Sequence, residues 1–186
     1  MVLLILLSGC HFSNHTKVSC MKIDYLANHP EWAPILAEWT YTAWHSYDPT
    51  LTIESSLASI KTHLNTGKIP LTLIAISYNK PVGTVTLKNS VPVPNVPKNK
   101  IWLGSLYVAP SYRNQGIGSK LIEAVYKEAQ RFGYQEIYLF SSDPEMPAWY
   151  QKRGWELMGK LPFKNHTVSI MQRSLPIACK FRRGCY

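Results

Sequence analysis

The chain has no apolar run approaching the roughly 20 residues of a membrane-crossing helix, and no cysteine between Met21 and Leu175. Its four cysteines, Cys10, Cys20, Cys179 and Cys185, lie near the two ends, with no Cys-x-x-Cys pair and no accompanying histidine set. That spacing fits no zinc pattern, so no metal is expected, and a terminal disulfide is open only to an exported chain. Internal repeats are missing too. Acidic residues are scarce: 11 Asp and Glu against 20 Lys and Arg give a formal charge of +9. Such an excess favours an anionic partner: nucleic acid, a membrane surface or a phosphorylated cofactor. The basic residues are scattered, apart from Lys180, Arg182 and Arg183, and no nucleic-acid motif is present. Neither nucleic acid nor membrane is therefore expected as a partner, and the charge is read as solvating surface plus a cofactor site.

What is present is a globular balance. Of 186 residues 46% are hydrophobic and 17% charged, which suits one domain with a real core. The first ten residues, MVLLILLSGC, end in Leu7-Ser8-Gly9-Cys10, which resembles a bacterial lipobox. Against export, the apolar run is short and no Lys or Arg precedes it. Met21 opens MKIDYLANHPEW, an ordinary cytoplasmic start. The expectation is an extension over 1–20, a folded domain over 21–175 and a basic tail over 176–186.

Periodicity lays out the domain. Lys22 to Leu26 alternates as a strand. Pro34 suits the first turn of a helix through His45, with Ile35, Leu36, Trp39, Ala43 and Trp44 on one face. Thr52 is the expected cap of a second helix, striped by Ile53, Leu57, Ile60 and Leu64 and ended by Gly67. Leu71–Tyr78 and Val82–Leu87 form a hairpin around Asn79-Lys80-Pro81. Three prolines make 91–97 an extended loop. Ile101–Val108 fits a buried strand, and a helix with Ile117, Leu121, Val125 and Ala129 on one face follows as far as Phe132, closed by Gly133. Strands at 137–140, 155–158 and 167–171 and a short helix at 148–152 complete the order β-α-α-β-β-β-α-β-α-β-β.

The segment Arg113-Asn114-Gln115-Gly116-Ile117-Gly118-Ser119 lies between a buried strand and a helix. A helix start offers free N–H groups and partial positive charge. The two glycines admit close approach to the backbone, and Arg113 adds a forked cation. Together they suit a pyrophosphate. The segment is no Walker loop, because Gly-Lys-Ser/Thr is absent, and it lacks the third glycine of the dinucleotide pattern.

The run Val108-Ala109-Pro110-Ser111-Tyr112-Arg113-Asn114-Gln115-Gly116-Ile117-Gly118-Ser119-Lys120-Leu121 resembles the acyl-CoA-binding signature of the GNAT superfamily. Further on, Ala148-Trp149-Tyr150-Gln151-Lys152-Arg153-Gly154-Trp155 resembles that family's second segment. The resemblance spans about 21–175, is most specific over 100–155, and points to a bacterial-type member. It implies an α/β (α+β) GNAT fold: a mixed, mostly antiparallel twisted sheet of six to seven strands flanked by about four helices. It also implies transfer of an acetyl group from acetyl-CoA to a primary amine of a small molecule or protein N-terminus. In the family pattern the backbone of Leu106, Tyr107 and Val108 lines the pantetheine arm, and residues 113–119 hold the pyrophosphate. Tyr150 falls where a general acid often stands; a phenol, with pKa about 10, is protonated at neutral pH. The alternative for Tyr150 is core packing against Trp149 and Trp155. Strand residues Trp102-Leu103-Gly104-Ser105 offer no carboxylate base, which leaves a water held by backbone or Ser105, or Glu54, Asp48, His45 or His166. Trp44, His45, Tyr47, Trp102 and Ser105 are the acceptor-pocket candidates, while Trp39 leans towards core packing. The resemblance also admits a homodimer. The competing readings are a non-catalytic acyl-CoA sensor and an exported lipoprotein.

Overall fold

The longest helix carries its apolar side chains at four-residue spacing, and that spacing decides what it covers. In the computed structural model, which describes residues 21–176, this helix, α3 (Ile117–Arg131), buries Ile117, Leu121, Ile122, Val125, Tyr126 and Ala129. Gly133, at φ 85°, lets the chain turn back after it. The other elements are β1 (Lys22–Tyr25), α1 (Ala33–Trp44), α2 (Ile53–Lys61), β2 (Leu71–Ser77), β3 (Lys80–Lys88), β4 (Trp102–Val108), β5 (Glu136–Ser141), α4 (Met146–Gln151), β6 (Glu156–Phe163) and β7 (His166–Ser174). This is the expected order.

Several bounds differ for identifiable reasons. Helix α2 stops at Lys61 instead of running to Gly67: the Thr62 hydroxyl donates to the Ser59 carbonyl (2.7 Å) and Asn65 Nδ2 to the Thr62 carbonyl (2.9 Å), so side chains close the last turn. Its start is capped by Thr52, whose Oγ1 accepts from the Ser55 amide while Ser55 Oγ accepts from the Thr52 amide. The β2–β3 turn sits on Tyr78 and Asn79, both left-handed, with Ser77 paired to Lys80. That is a two-residue hairpin, one step earlier than Asn79-Lys80-Pro81. Strands β6 and β7 run longer than expected because they pair with each other from Glu156↔Gln172 to Phe163↔His166.

The seven strands form one sheet in the order β1-β2-β3-β4-β5-β7-β6. Every pairing is antiparallel except β4–β5. Strand alternation splits the core in two. Leu71, Leu73 and Ala75 of β2 join Val85, Leu87, Leu103, Ile137 and Leu139 beneath α3 and α4. Ile74 and Ile76 join Leu36, Ala37 and Ile60 beneath α1 and α2. A third cluster packs Val93 of the proline-rich loop over Trp102, Tyr138, Val168 and Ile170. Truncating a fully buried leucine such as Leu121 to alanine costs about 2–5 kcal/mol.

The expected extension, the lipobox-like segment, the four cysteines and the basic tail after Pro176 lie outside the described residues. Among the described residues, no helix is long and apolar enough to cross a membrane.

Candidate active site

The site begins where the ladder breaks. Strand β4 pairs with β3 through Thr84↔Tyr107 and then Thr86↔Gly104, so Ser105 and Leu106 together oppose Val85. Ser105 takes a left-handed φ of 51° at this bulge. On its other side β4 is registered with β5 at one pair only, Trp102↔Tyr138. The run Leu106, Tyr107 and Val108 therefore has no registered strand on the β5 side. Unpaired backbone groups call for a partner, and an extended chain carrying amides, such as pantetheine, fits this edge.

The same edge leads into a helix start of the kind that suits an anion. After Val108 a tight turn passes through Asn114, at φ 60°, to Gly116, at φ 76°, which precedes α3 without any side-chain cap. The amides of Ile117, Gly118 and Ser119 form the first helical turn, whose N–H groups lack intrahelical acceptors. A Cβ on Gly116 would meet nothing within 4 Å, so open space lies over this turn. Arg113 donates from Nε to the Val108 carbonyl (3.0 Å), and its guanidinium lies 5.6 Å from the Tyr107 ring. Gln115 is exposed and donates from Nε2 to the Ser111 carbonyl (3.3 Å). The side chain of Ile117 belongs to the core, so this residue can serve a ligand through its amide alone.

A second cation arrives from the other motif. Arg153 donates from Nε to Ser119 Oγ (3.2 Å) and from Nη1 to the Trp149 carbonyl (2.9 Å), with its guanidinium 3.5 Å from the Trp149 ring. Arg153 stands in the second motif but was given no role from sequence; the signal was a basic residue next to Gly154, just after α4. The residues present fit a phosphorylated cofactor on two independent counts: an uncapped helix start flanked by two guanidinium groups, and an unpaired strand edge running into it.

Tyr150 is buried beside Trp149 (ring centroids 5.0 Å) and Trp155 (5.7 Å). Burial, then the neighbouring Tyr126, push its hydroxyl well above the usual phenol range, and it stays protonated.

On the opposite face of the sheet lies a cavity of about 150 Å³. Thr72, Thr84, Thr86, Lys88 and Ser105 form its sheet side, and Ser56 and His63 of the α2 segment lie across from them. Leu36 and Ile60 of the second apolar cluster also line it. The sequence signal was the polar alternation Thr84, Thr86, Lys88, on a strand whose other face is Val85 and Leu87. Thr72 and Thr86 hydrogen-bond each other (2.9 Å), and Thr84 donates to the Leu73 carbonyl (3.2 Å). No Asp or Glu lines the cavity. Burial, then the charge of Lys88, pull the His63 pKa down to about 4. Burial likewise lowers that of Lys88.

Of the five acceptor-pocket residues expected, the structure brings only Ser105 to this cavity. Trp102 is 1% exposed, packed 5.4 Å from Tyr138 beneath the proline-rich loop; strand alternation and the Val93 cover make it core, not pocket. Trp44, His45 and Tyr47 stand at the end of α1 and just after it, and none of them lines the cavity. His45 Nδ1 is 3.2 Å from the Leu51 carbonyl, and the Tyr47 ring lies 5.6 Å from that of His166. Asp48 and Lys164 form an ion pair that ties this loop to the β6–β7 turn. Trp39, read as core, is partly buried against the second apolar cluster, with its ring 5.2 Å from that of Tyr107. Glu54 is exposed on α2 and His166 contacts Ser142 Oγ (3.1 Å), so neither lines the cavity. Among the described residues, no group of three or more His, Cys, Asp or Glu could hold a metal ion.

The sequence profile of the Acetyltransferase (GNAT) family matches residues 29–155. No curated protein sequence matches the chain. Among solved structures, the fold is similar to an aminoglycoside 6'-N-acetyltransferase complexed with coenzyme A, at TM-score 0.66 and 20% identity, covering 83% of this chain and 97% of that one. It is similar to the aminoglycoside 6'-N-acetyltransferase from Enterococcus faecium, at TM-score 0.64 and 19% identity, over 83% and 97%. It is also similar to an acetyltransferase of the GNAT family from Staphylococcus aureus Mu50, at TM-score 0.62 and 23% identity, over 83% and 99%. At such identities the likeness is one of fold.

Proposed function

Because the chain belongs to the GNAT acetyltransferase family and is an acyltransferase, we propose that it transfers the acetyl group of acetyl-CoA to the primary amine of a small molecule or peptide, in the cytoplasm. The observation that carries the reading is the unpaired edge of β4 leading directly into the uncapped start of α3, beside Arg113 and Arg153. When bound, acetyl-CoA supplies a thioester whose acyl carbon bonds to the amine nitrogen as its bond to sulfur breaks. Leu106, Tyr107 and Val108 orient the pantetheine through their main chain. Arg113 and the first-turn amides of Ile117, Gly118 and Ser119, opened by Asn114, Gln115 and Gly116, bind the pyrophosphate. One anion at such a helix start contributes about 0.3–1 kcal/mol when exposed and up to about 2 when partly buried, and two guanidinium groups add to this. Tyr150 holds its proton at neutral pH and is the donor to the departing sulfur. The acceptor occupies the cavity beside Ser105, and a water or solvent takes the proton that the amine loses.

The test has two parts. Acetyl-CoA at about a hundred times its dissociation constant adds about 2.7 kcal/mol, which for a domain of this size raises the melting temperature by about 5–11 °C. Gly116→Asp, which puts a carboxylate and a side chain at the pyrophosphate site, should abolish the rise. Tyr150→Phe should keep the rise and lose about 10²–10⁴ in kcat. A wild-type rise without turnover on any amine would instead mark the chain as an acyl-CoA sensor, a reading supported by the lack of a carboxylate on β4. No rise at millimolar acetyl-CoA would end both readings.

A further inference from the structure

The cavity beside Ser105 is lined by hydrogen-bond donors that have nothing to bind. Ser56 Oγ and His63 Nδ1 are buried and without a partner among the described residues, their side chains belonging to residues 2% and 8% exposed. Lys88, half-buried beside them, makes no hydrogen bond or ion pair with any described residue. A polar atom buried without a partner costs about 1–3 kcal/mol, and partial burial of an unpaired cation adds to the cost. Two such atoms, with the unpaired lysine beside them, face one cavity and mark a site built for something else.

The chemistry of the lining says what that is. Lys88 carries donors only. Ser56 has a hydroxyl proton to give, and His63, neutral by virtue of its lowered pKa, presents Nδ1–H in one of its tautomers. With no Asp or Glu in the lining, nothing balances a cation, and Lys88 repels one. The ligand group that satisfies every donor at once, and pairs the lysine, is an anion with several acceptor positions. At about 150 Å³ the cavity is well below the roughly 300 Å³ at which drug-sized sites begin, so the group is small.

Position ties the cavity to the reaction. The Lys88 side chain crosses Gly104: a Cβ there would lie 3.4 Å from Lys88 Cε. The next residue is Ser105, which lines the cavity and opens the bulge ahead of the unpaired run. Lys88 therefore stands beside the strand segment at which the bulge begins.

We infer that Lys88, His63 and Ser56 bind the carboxylate of the acceptor, and that the amine acetylated is that of a free amino acid and not of a polycationic amino sugar. The inference rests on the acetyltransferase reading for its reaction but not for its binding site.

The experiment uses the full chain and a panel of free α- and ω-amino acids, each paired with its amide. Binding is read by calorimetry on the protein alone, and turnover with acetyl-CoA is followed through release of free thiol. At least one free amino acid should bind about tenfold or more tightly than its amide and show a matching kcat/KM preference. Lys88→Met should remove the preference while keeping the acetyl-CoA thermal shift, and it should not lower the melting temperature, because it removes a partly desolvated, unpaired charge. Ser56→Ala should weaken the preference and serves as a second variant independent of charge. Equal binding of every acid and amide overturns the inference whether or not acetyl-CoA binds. So does a preference that survives in both variants. Carboxylate-selective binding with no acetyl-CoA shift supports the site and overturns the proposed reaction instead.

Discussion

His63 sits 8% exposed with Nδ1 unpartnered, and burial together with Lys88 holds its pKa near 4, against 6.5 for a free histidine. The depressed value means that the unfolded chain takes up a proton that the folded chain refuses. Stability is thus full above pH 6.5 and declines as the pH falls from about 6.5 to about 4. A difference of this size corresponds to roughly 3 kcal/mol over the whole window. Urea midpoints at pH 5 and pH 7 should show a larger drop for the wild type than for His63→Asn; equal drops would mean that the imidazole is solvated. Residue-scale chemistry was unevenly legible in the sequence. Arg113 and Gly116 announce an anion site because helix-start chemistry is local. Trp102 misled because its face depends on which loop covers it, and Lys88 passed unnoticed because a lysine at a strand end normally reaches water.

At the scale of elements, Gly83 shows how closely β3, β4 and α3 approach. It pairs with Val108, and a Cβ there would lie 2.9 Å from the Tyr107 carbonyl oxygen and 3.1 Å from Leu121 Cδ1. The oxygen belongs to the main chain and cannot swing aside, so Gly83→Ala forces β4 and α3 apart. Overpacking of this kind costs about 1–3 kcal/mol. Because the displaced atoms flank the proposed cofactor edge, acetyl-CoA affinity should fall as well; stability is read by urea unfolding and affinity by calorimetry on the same sample. Unchanged values in both would show that β3 and α3 have slack here. Element order was readable because apolar spacing differs between helix and strand: α3 followed from Ile117, Leu121, Val125 and Ala129. The bulge at Ser105–Leu106 was not, since two residues opposing Val85 is a property of the pair of strands. The true lengths of β6 and β7 were hidden likewise, because each strand is stabilised by the other.

For the whole molecule, the charge of +9 predicts how a polyanionic cofactor arrives and stays. Screening shortens the reach of charge from about 10 Å at 0.1 M salt to about 3 Å at 1 M. The dissociation constant for acetyl-CoA should therefore rise several-fold between about 0.1 and 1 M salt, read by calorimetry. A constant value would assign binding to main-chain contacts alone. Those contacts carry one more consequence. If the donor is read by the backbone of residues 106–108, the identity of their side chains is not what recognises it. Substitutions there, and in the threonine-lined cavity on the opposite face, are free to change what is acetylated without changing what supplies the acetyl group. A fold arranged in this way can diversify its customers over evolutionary time while keeping a single source of currency.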